Sequence, residues 1–523
     1  MCCDEDTSVW QLDEGCTASV LYEIFSWLSG EELARVGAVC RLWRRSASEP
    51  ALWRRLLLRC NSADTEATRA LRDVITDPSQ WRQEYVNAHA PWVTVGGLQV
   101  GSGYVLQHAA LSPDGSRLAI TTDDATLFIW ELLEEAWKES WQCDLGALRG
   151  WASAARSDWA ECSSRLLVAG ACALVDVATR WELLVFDFDE QCKGHMKSRA
   201  RCGAGAAGCW ARSDGSCFLS LEPALLTPGL SYTTVWLNAA TQETDSEYTG
   251  VRTRLLRIFN EDNAHVLQTL VMDDSSDDMV PSTSRGVTYV HATRWYSGHF
   301  VSEQSDQRLL LASWGNKNRG GLSAWSIPTS LKRVEARSGG GLADRFAARR
   351  EQRRDPPPDP PPPTEEELRA LCDPPKATCD LCSRPLGIVE HPGRKCVWVT
   401  TSSGAVYCVH IPTLEPLQVL IPAQLTLHTD SFSHYVQPAA STHYVATPAG
   451  SLSGAVHVWS TTCRSHAQPP LRAPAPAVAA LLPARPAPAL LPAHPAPALL
   501  VVAGDTVHMW RNRATIQSAP DTY

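Results

Sequence analysis

The chain changes its hydrophobic rhythm once. Over residues 17–60 apolar side chains recur three and four apart, and beyond Pro91 they alternate in short runs separated by turn residues. The first rhythm predicts helices. Leu21, Ile24, Phe25 and Leu28 form one apolar face, and Ser29-Gly30-Glu31-Glu32 has the form of a capping box that starts a second helix. This second helix presents Leu33, Val36, Val39, Cys40 and Trp43, and a third begins near Pro50 with Leu52, Trp53, Leu56 and Leu57. Residues 61–90 predict a helical linker, with Asp77 as its cap, Pro78 in the first turn and Trp81 and Tyr85 four apart.

The second rhythm predicts strands. Five runs end in tryptophan, at Trp130, Trp236, Trp325, Trp459 and Trp510, and Leu183 to Phe186 and Ala405 to Val409 repeat the alternation in two gaps. Their spacing is close to one period, slightly longer than the ~40 to 45 residues of a WD-repeat blade, so about seven units and a closed all-β propeller are expected. In the best-formed unit Leu111-Ser112-Pro113-Asp114-Gly115 is a strand entering a turn, and Thr122 and Asp124 precede Trp130. His108 stands too near that turn to join them in the usual network, and the tryptophans read as blade cores.

Composition narrows the functional classes. A chain of 523 residues with 44% hydrophobic residues can fill several cores. The net charge of -10 and the lack of a Lys/Arg run argue against a nucleic-acid partner. Asp4, Glu5, Asp6, Asp13 and Glu14 stand where a secretory signal would be cationic and then apolar, so a location inside the cell is expected, cytoplasmic with the nucleus accessible. The most apolar stretch, 473–502, contains eight prolines and does not fit a membrane helix. In a reducing compartment the 18 cysteines are expected as free thiols.

Two stretches interrupt the strand pattern. Residues 335–378 hold Gly339-Gly340-Gly341, an arginine-rich run to Arg354 and prolines from Pro356 to Pro363, which predicts an unpacked loop between propeller halves 91–334 and 379–515. Residues 466–498 form a Pro/Ala-rich low-complexity loop in the last unit. The acidic residues Asp273, Asp274, Asp277 and Asp278 read as a solvated loop. Cys379-Asp380-Leu381-Cys382 has the spacing of half a zinc site, with Cys372 and Cys396 nearby, but the other pair lacks that spacing and free thiols are the expectation. No nucleophile elbow, phosphate loop or His-Glu-x-x-His pattern occurs, so no cofactor, metal or catalysis is expected.

The helical segment resembles an F-box. The resemblance rests on Leu21-Tyr22-Glu23-Ile24-Phe25-Ser26-Trp27-Leu28, on Val39-Cys40-Arg41-Leu42-Trp43 and on Leu52-Trp53; Cys16-Thr17 departs from the family's usual Leu-Pro. Together with the propeller, the chain resembles the F-box/WD-repeat family, and Gly208-Cys209-Trp210, Arg254 to Ile258 and Val507 to Arg513 resemble one branch of it, with shortening around 412–450. The resemblance implies a small all-α F-box domain at 17–60 docking on the adaptor of an SCF-type cullin ligase through Leu21, Ile24, Phe25, Leu28, Leu33, Val36, Val39, Cys40, Trp43 and Trp53. It further implies that the propeller holds an unidentified protein substrate for ubiquitination, with no chemistry of its own. It also admits recruitment to a cullin-four adaptor through Trp510 and Arg513, although Asn512 replaces the family's Asp, or a scaffold uncoupled from ubiquitin transfer.

Overall fold

In the computed structural model the change of rhythm is a change of architecture. The structure describes residues 14–60, 77–133, 136–172, 180–242, 252–274, 307–328, 364–421, 436–461, 470–481 and 498–512, apart from 79, 102, 204, 212–213, 228–229, 317–318, 393–394, 412, 437, 442, 450–453 and 476. Five helices come first: α1 (Glu14–Phe25), α2 (Gly30–Val36), α3 (Arg41–Ala47), α4 (Pro50–Cys60) and α5 (Gln80–His89). The expected capping box forms, with Ser29 and Glu32 each satisfying the other's backbone N–H.

The expected second helix, Leu33 through Trp43, is two helices. α2 stops at Val36, where Gly37 closes the turn by donating to Leu33, and Cys40, extended at φ -154°, caps a new helix with its Sγ accepting from the Trp43 N–H. Glycine is the residue least able to carry a helix onward, and a cap three residues later offers the backbone an alternative. The linker helix begins at Gln80, three residues after the expected cap.

Seven four-stranded antiparallel sheets follow, at residues 106–144, 151–202, 209–260, 265–380, 385–420, 439–472 and 477–512, called blades 1 to 7. The third strand of every blade carries one of the seven recurring runs, from Thr126–Leu133 to Thr506–Asn512. Blade 7 takes its outer strand from the other end of the fold: Trp92–Gln99 pairs with Thr506–Asn512, from Trp92 opposite Asn512 to Gln99 opposite Thr506. That pairing closes the ring.

The cores lie between blades, because each sheet is apolar on both faces. Ile129 and Leu184 share the cluster between blades 1 and 2, Leu183 and Leu219 that between 2 and 3, and Leu309 and Val397 that between 4 and 5. Trp398 and Val445 join blades 5 and 6, Val456 and Val501 blades 6 and 7, and Val502 and Leu118 blades 7 and 1. Polar ties repeat on the same period. Trp159 Nε1 donates to Ala110 O and Trp210 Nε1 to Asp158 O, both at 3.0 Å, while Arg165 reaches Gly215 O at 2.9 Å. Between blades 1 and 2, α6 (Leu145–Arg149) is capped by Asp144 and ends at Gly150, whose φ of 70° suits glycine.

Several expectations change in the structure. Residues 364–378, inside the stretch expected to be unpacked, form α7 (Glu365–Ala370) and the lead into the last strand of blade 4. Thr364 and Glu367 make a capping box, Leu368 is buried, and Asp373 exchanges two bonds of 2.7 Å with the backbone of Arg257 on blade 3. The prolines end at Pro363, and the sequence beyond them has the caps and apolar residues of an ordinary element. The arginine and proline runs at 335–363 lie outside the described residues. Within 466–498, Leu471–Arg472 and Ala477–Leu481 are strands, the second pairing with Ala498–Ala503. Asp273 and Asp274 end a strand instead of lying in a loop, since Arg308 and Gln307 continue the ladder opposite them. Asp277, Asp278, Gly298 and His299 lie outside the described residues.

Candidate functional site: an apolar helical face and its joint to the propeller

α1 carries two apolar stripes. Leu21 and Phe25 point inward with Leu33, Ala47, Leu52, Trp53, Leu57 and Trp81, and Leu28, Val36 and Trp43 border this core, with Phe25 and Trp43 edge to face at 5.6 Å. Val20, Ile24 and Trp27, at i, i+4 and i+7, point outward, with Trp27 72% exposed and Ile24 53%. Val39 and Cys40 are also exposed, in the corner between α2 and α3.

The ten residues expected to meet the adaptor therefore divide. Leu21, Phe25, Leu33 and Trp53 are core, Leu28, Val36 and Trp43 are half-buried, and Ile24, Val39 and Cys40 are open to a partner. Val20 and Trp27 are site residues that the sequence reading missed. The signal was present, because the stripe 20, 24, 27 runs one residue behind the core stripe 21, 25, 28, but periodicity alone does not say which stripe faces inward.

Trp53 shows why it belongs to the core. Its Nε1 donates to Ala47 O at 2.7 Å, Tyr85 of α5 packs on it at 5.5 Å, and the Arg82 guanidinium lies over its ring. Gly30 lets α5 approach α2: a Cβ there would stand 2.1 Å from the Tyr85 ring. Tyr85 in turn stacks on His89 with centroids 3.9 Å apart.

The far end of α5 is fixed to blades 6 and 7 by a buried polar knot. Tyr444 donates its hydroxyl to Asn87 O at 2.9 Å, and Asn512 Nδ2 reaches Asn87 O, Ala90 O and the Tyr444 hydroxyl at 3.1 to 3.2 Å. Trp92 meets Tyr444 edge to face, and His443 lies 3.4 Å from Glu84. Burial holds the Tyr444 phenol far above its usual range, so it stays a donor at every pH the fold survives. The last four carbonyls of a helix have no partner within it, and here two side chains of the propeller supply one.

On the propeller the expected Thr–Asp pair forms: Thr122 donates to Asp124, and both accept from the Thr126 N–H. Trp130 does not join it, and its Nε1 is buried with no partner. His108 instead faces blade 2, 3.2 Å from the Ser157 N–H. Trp510 is 4% exposed and sits in the core between blades 6 and 7, so its ring is unavailable to a cullin-four adaptor; Arg513 lies outside the described residues. Cys379 is buried and Cys382 exposed, and burial raises the Cys379 thiol above its usual range. No group of three or more His, Cys, Asp or Glu residues converges on a metal-sized site among the described residues. No helix among them is long and apolar enough to cross a membrane.

A helical unit presenting a spare apolar stripe, joined to a seven-bladed propeller, defines a two-part binding protein. Residues 18–59 match the F-box-like family model. The chain is similar to F-box/WD repeat-containing protein 5 of Homo sapiens, 27% identical over 287 residues, which cover 51% of this chain and 46% of the human protein. The rat protein of the same name is 26% identical over 276 residues, covering 49% of this chain and 43% of its own, so each match spans about half the length of the relative. Among solved structures, the beta-propeller domain of Myceliophteria thermophila Cps50 (Swd1) is 13% identical with a TM-score of 0.43, covering 80% of this chain and 99% of that one. The blade count of seven comes from the sheets themselves.

Proposed function

We propose that this protein is the substrate-recognition subunit of an SCF-type cullin ligase: the helical unit docks on the ligase adaptor, and the propeller holds a protein substrate for ubiquitination and degradation. The observation that carries this reading is the outward stripe Val20, Ile24 and Trp27, apolar surface left over after the core of the helical unit is complete. The match of residues 18–59 to the F-box-like model supports the same partner. Catalysis has no place in the scheme. Holding the substrate near the charged conjugating enzyme raises the effective concentration of its lysines, and that proximity is the whole contribution. The setting is inside the cell, where such ligases work.

Ile24→Asp tests it, in a binding assay with purified adaptor. A carboxylate buried without a partner costs on the order of 3 kcal/mol, about two decades of affinity, while the folded chain loses nothing because Ile24 is already open to solvent. Trp53→Ala should instead melt the helical unit, since a buried indole truncated to Ala costs about 3–5 kcal/mol. Adaptor capture undiminished in Ile24→Asp would overturn the reading.

A further inference from the structure

The helical unit is basic in a chain that is not. Residues 40–60 hold six arginines and one glutamate, whereas the whole chain has a net charge of -10. Two of the six are used inside the fold: Arg44 Nε donates to Gly37 O, and the Arg54 guanidinium lies over the Trp81 ring. The other four, Arg41, Arg45, Arg55 and Arg59, are exposed and make no ion pair among the described residues.

Helix chemistry accounts for only part of this. Arg45 and Arg59 stand in the last turns of α3 and α4, where a cation complements the helix dipole. Arg41 opens α3 at its positive end, where a cation is unfavourable, and Arg55 lies in mid-helix. Both pairs, Arg41 with Arg45 and Arg55 with Arg59, are like charges at i, i+4, a spacing that works against the helix. The two helices form one hairpin, closed by the bond from Trp53 Nε1 to Ala47 O, so the two rows belong to one rigid body.

We infer that this arginine face receives an acidic surface of the protein that docks on the apolar stripe of α1, steering it into place. The inference rests on the adaptor reading above and adds the partner's charge and the kinetic step at which the face acts. Charge complementarity selects a protein over a nucleic acid or a membrane here. The four guanidiniums flank an apolar stripe on a separate helix, an arrangement suited to a mixed protein surface rather than to a phosphate track. Charges at the rim of an interface act on the encounter and leave the contacts that hold the complex unchanged, so their signature is in the association rate.

The experiment measures association and dissociation rates of the full chain with purified adaptor at low and at high salt. Wild-type protein is compared with the quadruple variant Arg41→Gln, Arg45→Gln, Arg55→Gln, Arg59→Gln and with Ile24→Asp. Expected are an association rate that falls about tenfold with salt and by as much in the quadruple variant at low salt, with dissociation unchanged. Ile24→Asp should accelerate dissociation. Two further probes are a double-stranded RNA and vesicles of anionic phosphatidylserine, neither of which should bind. Association indifferent to both salt and the four substitutions sinks the inference and leaves the adaptor reading standing. Capture of the RNA or the vesicles by wild type but not by the quadruple variant reassigns the face. Failure of wild type to bind the adaptor at either salt removes both readings together.

Discussion

His108 is buried between blades 1 and 2, and its Nδ1 accepts from the Ser157 N–H, which requires that nitrogen to be unprotonated. Desolvation, and to a lesser degree the charge of Arg156, holds its pKa well below the ordinary value of 6.5. The sign of the linkage follows. A base whose folded pKa is depressed contributes nothing against folding above pH 6.5; as pH falls toward the folded value, the unfolded chain takes a proton that the folded one refuses, and stability is lost. His265, His410, His457 and His508 are lowered by burial in the same direction. The denaturation midpoint should therefore drop between pH 8 and pH 5, and His108→Asn, which keeps an acceptor but does not titrate, should flatten part of that drop. A slope identical to wild type would show that His108 protonates freely in the fold.

At the scale of the element, the tryptophans of the propeller fall into two kinds with different consequences. Trp159, on an inner strand, spends its Nε1 on Ala110 O of the preceding blade, whereas Trp130, on a third strand, has an Nε1 without a partner. Trp159→Phe should cost about 1 to 3 kcal/mol by stranding a buried carbonyl, and Trp130→Phe should lose only its packing, because no hydrogen bond is removed. Chemical denaturation of the two variants checks the ordering, and equal losses would refute it. The third strands were legible in the sequence because each carries the same alternation into a turn, Trp459 and Trp510 being the plainest pair. The inner-strand ties were not, since they join residues about 49 positions apart through a carbonyl that has no side-chain signature. The docking face was half legible for a related reason. Two stripes on α1 have the same period, and only the packing of Trp53 and Trp43 decides that 21 and 25 go in while 20, 24 and 27 stay out. The break at Gly37 was missed because Val36, Val39 and Trp43 keep helical spacing across a corner.

At the scale of the molecule, the knot of Tyr444 and Asn512 on the end of α5 makes the helical unit and the propeller one body. The distance between whatever each part holds is then set by the fold rather than by a tether. Asn512→Leu combined with Tyr444→Phe should leave both parts folded and free the joint: hydrogen exchange along α5 should accelerate while the blades keep their protection. Exchange in α5 unchanged in that double variant would mean that Trp92 and the His443–Glu84 contact suffice to hold it.

The closure of blade 7 also puts the protein on a timetable. Trp92–Gln99 leaves the ribosome early, and its partner Thr506–Asn512 comes near the end, so at ordinary rates of synthesis the first strand waits on the order of a minute for the last. The helices of residues 14–60 are complete throughout that interval, yet the residues that anchor α5, Tyr444 and Asn512, are among the last to arrive. A partner of the helical unit thus meets it first on a loose stalk, and the geometry between the two parts is set only when translation is nearly done.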